Sequence, residues 1–398
     1  MLDFELSDEQ RALQDAMKKC LEPFASRHEE LRRLVQVEKK FPQELWDAIC
    51  ETGLLGSMVP PEHGGNGAGL LAMALGIEAL SMQGFGNALL ILTAMDAACI
   101  ARNGSEALKK RYLPKMATGE LKFCFALTEP DAGSNTFRLR TLAKKVSENE
   151  YSISGEKVFI TGADRADKML LVCRTTSRED AEARGLPKAF GLALFVVDCK
   201  AKGITLKPIP TRGIEGMTQF MVHLEDCRVP ASDMVGEPDM GGMVLFNTLN
   251  PERILAAAST CGIAHHMLDK AVKYANERAV FKERPIGAYQ SISHPLAKVR
   301  IDLDAVRLLT YRAAWAFDKG MNPNQVGTYA NMAKYQGSEL AIAAVDRAIQ
   351  TLGGYGFSEE YGVIYYYDTV RLLRTAPITS ELILNFIAEH ELGLPRSY

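Results

Sequence analysis

Residues 123–136 read F-C-F-A-L-T-E-P-D-A-G-S-N-T, and residues 155–162 read G-E-K-V-F-I-T-G. The first run opens as an apolar strand and has to stop at Pro130, which has no N–H to pair. Gly133 then allows a small-residue turn in which backbone amides can face a ligand. The second run is a strand that ends on Thr161. From about Leu121 to Val235 the apolar residues repeat with a period of two. Strand-like runs near 151–160, 168–173, 189–197 and 220–224 are separated by polar turns. A middle β domain over 121–235 is expected.

Both flanks repeat with helical spacing. Over 1–120, Ser7 followed by Asp8, Glu9 and Gln10 predicts an N-cap with an acidic first turn, and a second helix is expected after Pro42. The glycine-rich loop Pro60–Gly67 lacks both a preceding strand and a following Lys-Ser/Thr, so it is not read as a phosphate loop. Ala72–Ala101 is apolar, but Glu78, Gln83, Asn87 and Asp96 interrupt it and Gly84 and Gly86 break it midway; two helices are expected rather than a membrane span. Over 236–398, amphipathic runs at 251–278, 289–319, 325–352 and 377–391 predict an antiparallel four-helix bundle. Asn250 reads as the N-cap of the first run, with Pro251 in the first helical position. The fold class is α+β, in the order helical domain, β domain, helical bundle.

At 398 residues, two or three domains are expected. The 47% hydrophobic and 24% charged composition is that of a soluble globular protein, and a formal charge of -3 gives no reason to expect nucleic acid or a membrane as partner. The N-terminal segment is acidic, unlike a signal peptide. Eight scattered cysteines without a C-x-x-C pair point to free thiols in the cytoplasm and no metal site. His265 and His266 are adjacent and cannot chelate together as an i, i+4 pair would.

The two opening segments, followed in order by further landmarks, resemble the acyl-CoA dehydrogenase family over nearly the whole chain. The resemblance implies FAD as cofactor. It places Phe125, Leu127, Thr128, Gly133 and Ser134 in the flavin-binding signature, with Phe159 against the flavin ring and Thr161 donating to its N5. Tyr274 to Phe281 looks like a Y-x-x-x-R-x-x-F motif in which Arg278 is a phosphate fork. Gln290, and Gln350 with Gly353 and Gly354, resemble residues that approach the pyrophosphate, and Thr379 and Glu381 belong to a T-S-E that follows the active-site loop. One departure is Lys282 after Phe281, where the family usually has glycine. Family members are usually tetramers. Because the FAD site draws on two subunits, a homotetramer, or at least a homodimer, is implied.

The base of such an enzyme is a carboxylate that removes the substrate's α-proton. The common C-terminal glutamate position falls on Pro377, or on Ala376 if Asp368 is followed by a one-residue insertion; neither is acidic. The N-P-E-R-I-L run at 250–255 resembles a second location, that of isovaleryl- and long-chain-type enzymes, and makes Glu252 the candidate base. At a helix N-terminus the dipole would depress its pKa, and only an apolar, desolvated pocket filled by substrate would raise it towards a useful value. Asn250, Arg253 and Ser134 match substrate-adjacent positions. The family polarises the thioester carbonyl with a backbone N–H at the C-terminal position, which proline cannot supply, so Ala376 is the expected donor. The implied activity is α,β-dehydrogenation of an acyl-CoA, with an electron-transfer flavoprotein as acceptor. The alternatives are a same-fold oxidase, monooxygenase or carrier-protein thioester enzyme, or a non-catalytic paralogue that binds FAD or acyl-CoA.

Overall fold

The structure, a computed structural model, describes residues 5–397, apart from Glu215, Lys282 and the side chain of Gln36. Six helices come first: α1 (Asp8–Ala25), α2 (His28–Arg32), which continues as a wider turn over Arg33–Val37, α3 (Gln43–Glu51), α4 (Gly69–Met82), α5 (Ala88–Asn103) and α6 (Glu106–Ala117). The expected cap of α1 is a capping box: Ser7 Oγ accepts from the Gln10 N–H, and the Gln10 side chain accepts from the Ser7 N–H. The apolar stretch over 72–101 is two helices, α4 and α5, and no helix among the described residues is long and apolar enough to cross a membrane. Its charged interruptions are not on the surface, because Glu78 and Asp96 are both fully buried. Glu78 is matched by Arg307 Nε at 2.6 Å and by the Tyr311 hydroxyl at 2.5 Å.

The middle of the chain folds into β1 (Phe123–Ala126), β2 (Leu142–Ser147), β3 (Glu150–Thr161), β4 (Lys168–Arg174), a short α7 (Arg178–Ala183), β5 (Leu192–Asp198), β6 (Ile204–Ile209), β7 (Gln219–Pro230) and β8 (Met234–Val235). Among the described residues these make one eight-stranded sheet in the order β6-β7-β3-β2-β4-β5-β8, with β1 parallel to β4 at its side. β4 and β5 are buried along nearly their whole length, which explains their continuous apolar runs.

The C-terminal part begins with α8 (Gly241–Glu277) and a small hairpin, β9 (Ala279–Val280) with β10 (Arg284–Pro285). It continues with α9 (Gln290–Asp318), α10 (Pro323–Leu352), α11 (Tyr366–Leu372) and α12 (Ser380–His390). Here the local reading of Asn250 and Pro251 is corrected. α8 is one helix of 37 residues that starts ten residues earlier, with Pro251 in its interior and Asn250 buried. Burial of Val244, Leu245 and Thr248 before those positions, and of Ile254 and Leu255 after them, holds the helix through the missing proline donor.

Candidate active site

Where the end of β3 meets α5, α8 and the 366–377 segment, the protein forms a cavity of about 190 Å³. Glu252 lines it together with Thr161, Ala376 and Pro377, and the rest of the wall is mostly apolar, with Leu92 and Ile263 among its side chains. Glu252 is half-buried, and the surface it keeps faces this cavity. Because α8 runs through the position, no helix N-terminus is present to depress its pKa. Desolvation instead pushes the carboxyl up to about 7, opposed by the positive charges of Arg253 and Lys334. A carboxylate near neutrality is matched to general-base work.

The two opening sequence segments come together beside the cavity. The Val158 N–H donates to the Thr128 carbonyl at 2.9 Å, tying the end of the first segment to the second. The loop between them is anchored by a buried ion pair. Glu129 accepts from Lys157 Nζ at 2.8 Å and from the N–H groups of Arg140 (2.7 Å) and Thr141 (3.0 Å), while Lys157 also donates to the Leu127 carbonyl at 2.9 Å. The β3–β7 register breaks between Lys157 and Ile160. In that break Phe159 takes a left-handed φ of 57° and stands 58% exposed. For an aromatic residue this backbone is strained, and the bulge turns the ring out of the sheet. At the strand end, the Gln219 amide donates to Thr161 Oγ1 at 2.8 Å, which leaves the hydroxyl hydrogen of Thr161 able to donate elsewhere. Phe125, Leu127 and Thr128 are half-buried, whereas Gly133 and Ser134 lie exposed in the loop. Gly133 is not required by its backbone: a Cβ there would meet only Thr128 Cγ2, at 4.0 Å.

A second concavity, of about 650 Å³, lies at the far end of α8. It brings Arg278, Gly353 and Gly354 together with Tyr274, Val280 and Tyr355. Gly353 has φ 60° and ψ −128°, which favours glycine, and a Cβ on either glycine would meet nothing within 4 Å. Gln350, in the last turn of α10, and Gln290, the first residue of α9, are both exposed. Phe281 is 83% exposed at the tip of the β9–β10 hairpin, and Lys282 lies outside the described residues.

Several expectations change. The Ala376 N–H donates to the Leu372 carbonyl at 2.9 Å, so in this conformation it is not an available donor to a substrate carbonyl, although Ala376 does line the cavity. Asn250 and Arg253 are not on the cavity wall; Arg253 Nη1 reaches Asn250 Oδ1 at 3.4 Å. Thr379 caps α12 by accepting from the Leu382 N–H at 3.3 Å, and Glu381 is exposed in its first turn. Two charged groups near Glu252 were not picked out from sequence. Asp96 is fully buried with no partner for either oxygen; burial, with the nearby Glu252 charge, pushes its pKa well up. Lys334 is buried on the inner face of α10. Among the described residues no cluster of His, Cys, Asp or Glu could hold a metal ion.

Comparison with known proteins agrees with this architecture. Family models for the N-terminal, middle and C-terminal domains of acyl-CoA dehydrogenases match residues 7–120, 124–227 and 239–392. The chain is 41% identical to acyl-CoA dehydrogenase FadE12 of Mycobacterium tuberculosis over 356 residues, covering 89% of each chain. It is 30% identical to the caffeyl-CoA reductase–Etf complex subunit CarC of Acetobacterium woodii, over 92% of this chain and 94% of that one. The solved structure of butyryl-CoA dehydrogenase from Megasphaera elsdenii superposes with a TM-score of 0.89 at 29% identity, over 98% of this chain and all of the other. The chain belongs to the acyl-CoA dehydrogenase family.

Proposed function

We propose that this protein is an FAD-dependent acyl-CoA dehydrogenase that converts an acyl-CoA to the trans-2-enoyl-CoA with Glu252 as the base. The observation that carries the reading is the position of Glu252. A carboxyl with a pKa raised to about 7 faces the same apolar cavity as the Thr161 hydroxyl and the 376–377 wall. An acyl chain in that cavity would shed its water, and the carboxylate would take the α-proton and hold it. The electron pair of that C–H bond becomes the new C=C bond as the β-hydride leaves.

The chain's own residues fit FAD. The strained, exposed Phe159 ring offers a flat face, Thr161 keeps a hydrogen to donate, and the bare glycine backbone at 353–354 beside Arg278 suits a pyrophosphate. Bound there, FAD supplies the acceptor for the β-hydride. In this reading residues 1–120 and 236–398 enclose the substrate, and residues 121–235 hold the flavin ring. The aromatic side chains of Phe281, Tyr355 and Phe357, exposed beside or near the open cleft, support at least a dimer, with a tetramer as the family norm. An electron-transfer flavoprotein is the acceptor we favour, because CarC is named for its Etf complex. The eight free cysteines suit a cytoplasmic setting.

Anaerobic titration with short, long and branched acyl-CoAs tests the assignment. The flavin absorbance should bleach in the parent. Glu252→Gln should bind the same acyl-CoA but reduce its flavin about 10²–10⁴-fold more slowly, the range for a lost general base. Equal reduction rates would remove Glu252 from the role.

A further inference from the structure

The inner face of α10 carries a charge that packing alone does not require. Ala330, Ala333, Gly337 and Ala341 are buried there, and among them Lys334 is only 1% exposed. Its ammonium donates to the carbonyl of Ile378, in the loop that carries Ala376 and Pro377. One turn further along, Ser338 Oγ donates to the Leu373 carbonyl at 2.8 Å, and Glu339 accepts from Arg374 Nε at 2.6 Å. α10 therefore straps the 373–378 segment at three points, and this segment is the cavity wall that shares the acyl site with Glu252.

The same ammonium stands among charges from three helices. Glu252 and Arg253 face it from α8, Glu381 from the start of α12, and Glu339 from α10 itself. Burial, then repulsion from Arg253, lowers its pKa to about 8, so it keeps its proton at neutral pH. Glu252 in turn faces Arg253 from its own helix, Lys334 from α10 and the buried Asp96 carboxyl from α5. A cation close to a desolvated carboxyl favours the carboxylate.

We propose that Lys334 is a positioning residue for this reaction, holding the Ala376–Ile378 wall against the acyl cavity and supplying positive charge that favours the Glu252 carboxylate. The proposal rests on the reading of Glu252 as the base. It makes one side chain the link between the two sides of the site, the wall on one and the proton acceptor on the other.

The test is exchange of the substrate's α-proton with deuterated solvent, followed by NMR on the FAD-loaded protein across the neutral pH range. In Lys334→Met the acidic limb of the exchange rate should move to higher pH, and the plateau should fall about tenfold or more, since small misplacements near reacting atoms are costly. Lys334→Arg keeps the charge and should hold the limb at the parent's pH while lowering the plateau. A lower plateau with an unmoved limb in Lys334→Met would reduce Lys334 to a structural strut and overturn the proposal. So would a limb that moves equally in Lys334→Arg, an arm that serves if the methionine variant fails to fold. Parent-like exchange in Glu252→Gln would instead overturn the reading of the base, whatever the lysine variants do.

Discussion

The cavity at Glu252 and the cleft at Gly353–Gly354 lie toward opposite ends of α8, and they differ in how much one chain completes. The cavity is the more enclosed of the two. Its carboxyl is desolvated, the nearby wall is strapped to α10, and the Thr161 hydroxyl is oriented by Gln219. The cleft is open, with its arginine exposed, its glycine backbone bare and an aromatic side chain at 83% exposure at the hairpin tip. Low dielectric strengthens electrostatic effects in the first region, whereas the second needs a bound group or a second chain before its charge is worth much. Chemistry and cofactor anchoring should therefore separate under mutation.

The largest effect should come from the buried pair beneath the flavin-side loop. Lys157→Met leaves Glu129 buried without its cation and should cost about 3–5 kcal/mol in chemical unfolding. A loss within error of zero would mean that the loop does not depend on the pair. Arg278→Met should act on the cleft alone. FAD affinity should weaken by about 1.5–3 kcal/mol, the worth of a charged hydrogen bond, while the rate of flavin reduction in the loaded protein stays as in the parent. A fall in that rate would break the separation of the two regions. Gly353→Ala forces a side chain into a backbone that favours glycine and should cost about 1–3 kcal/mol, read as lower thermal stability and weaker FAD retention.

The smallest effect concerns acid. Burial, with Lys270 and His28 nearby, lowers the pKa of His266 to about 3, and its Nδ1 meets the Met82 carbonyl at 3.0 Å. A folded pKa below the unfolded value of 6.5 means that neutral His266 contributes stability above 6.5, which is lost as pH falls toward 3. Parent unfolding should show a slope in that window that His266→Gln flattens.

Much of this was legible in the sequence, for reasons that differ by residue. The period-two runs of the sheet and the pair of segments around Thr128 and Thr161 could be read because strand alternation and proline termination are local properties. Glu252 could be read as a candidate, and desolvation in an apolar pocket sets its electrostatics, whereas the expected helix-start dipole is not there. Asn-Pro-Glu is a valid local start signal for a helix, and only the burial of Val244, Leu245 and Thr248 carries α8 through it. The Ala376 donor was misjudged because a hydrogen bond four residues back, to Leu372, depends on how α11 ends. Asp96 and Lys334 look like ordinary polar residues of helices; their importance arises from packing against α8 and the 376–378 wall. A charged residue among small ones at helical spacing, as in A-N-M-A-K-Y-Q-G over 330–337, was the signal available.

The central claim is that burial turns Glu252 into a base poised at neutrality. Its most direct measurement is the rate of flavin reduction by a saturating acyl-CoA in rapid mixing, as a function of pH. The account expects the rate to rise about tenfold per pH unit up to about 7 and then level. A rate that stays level through neutrality and breaks only near 4.5, the ordinary range of a solvated glutamate, would contradict it.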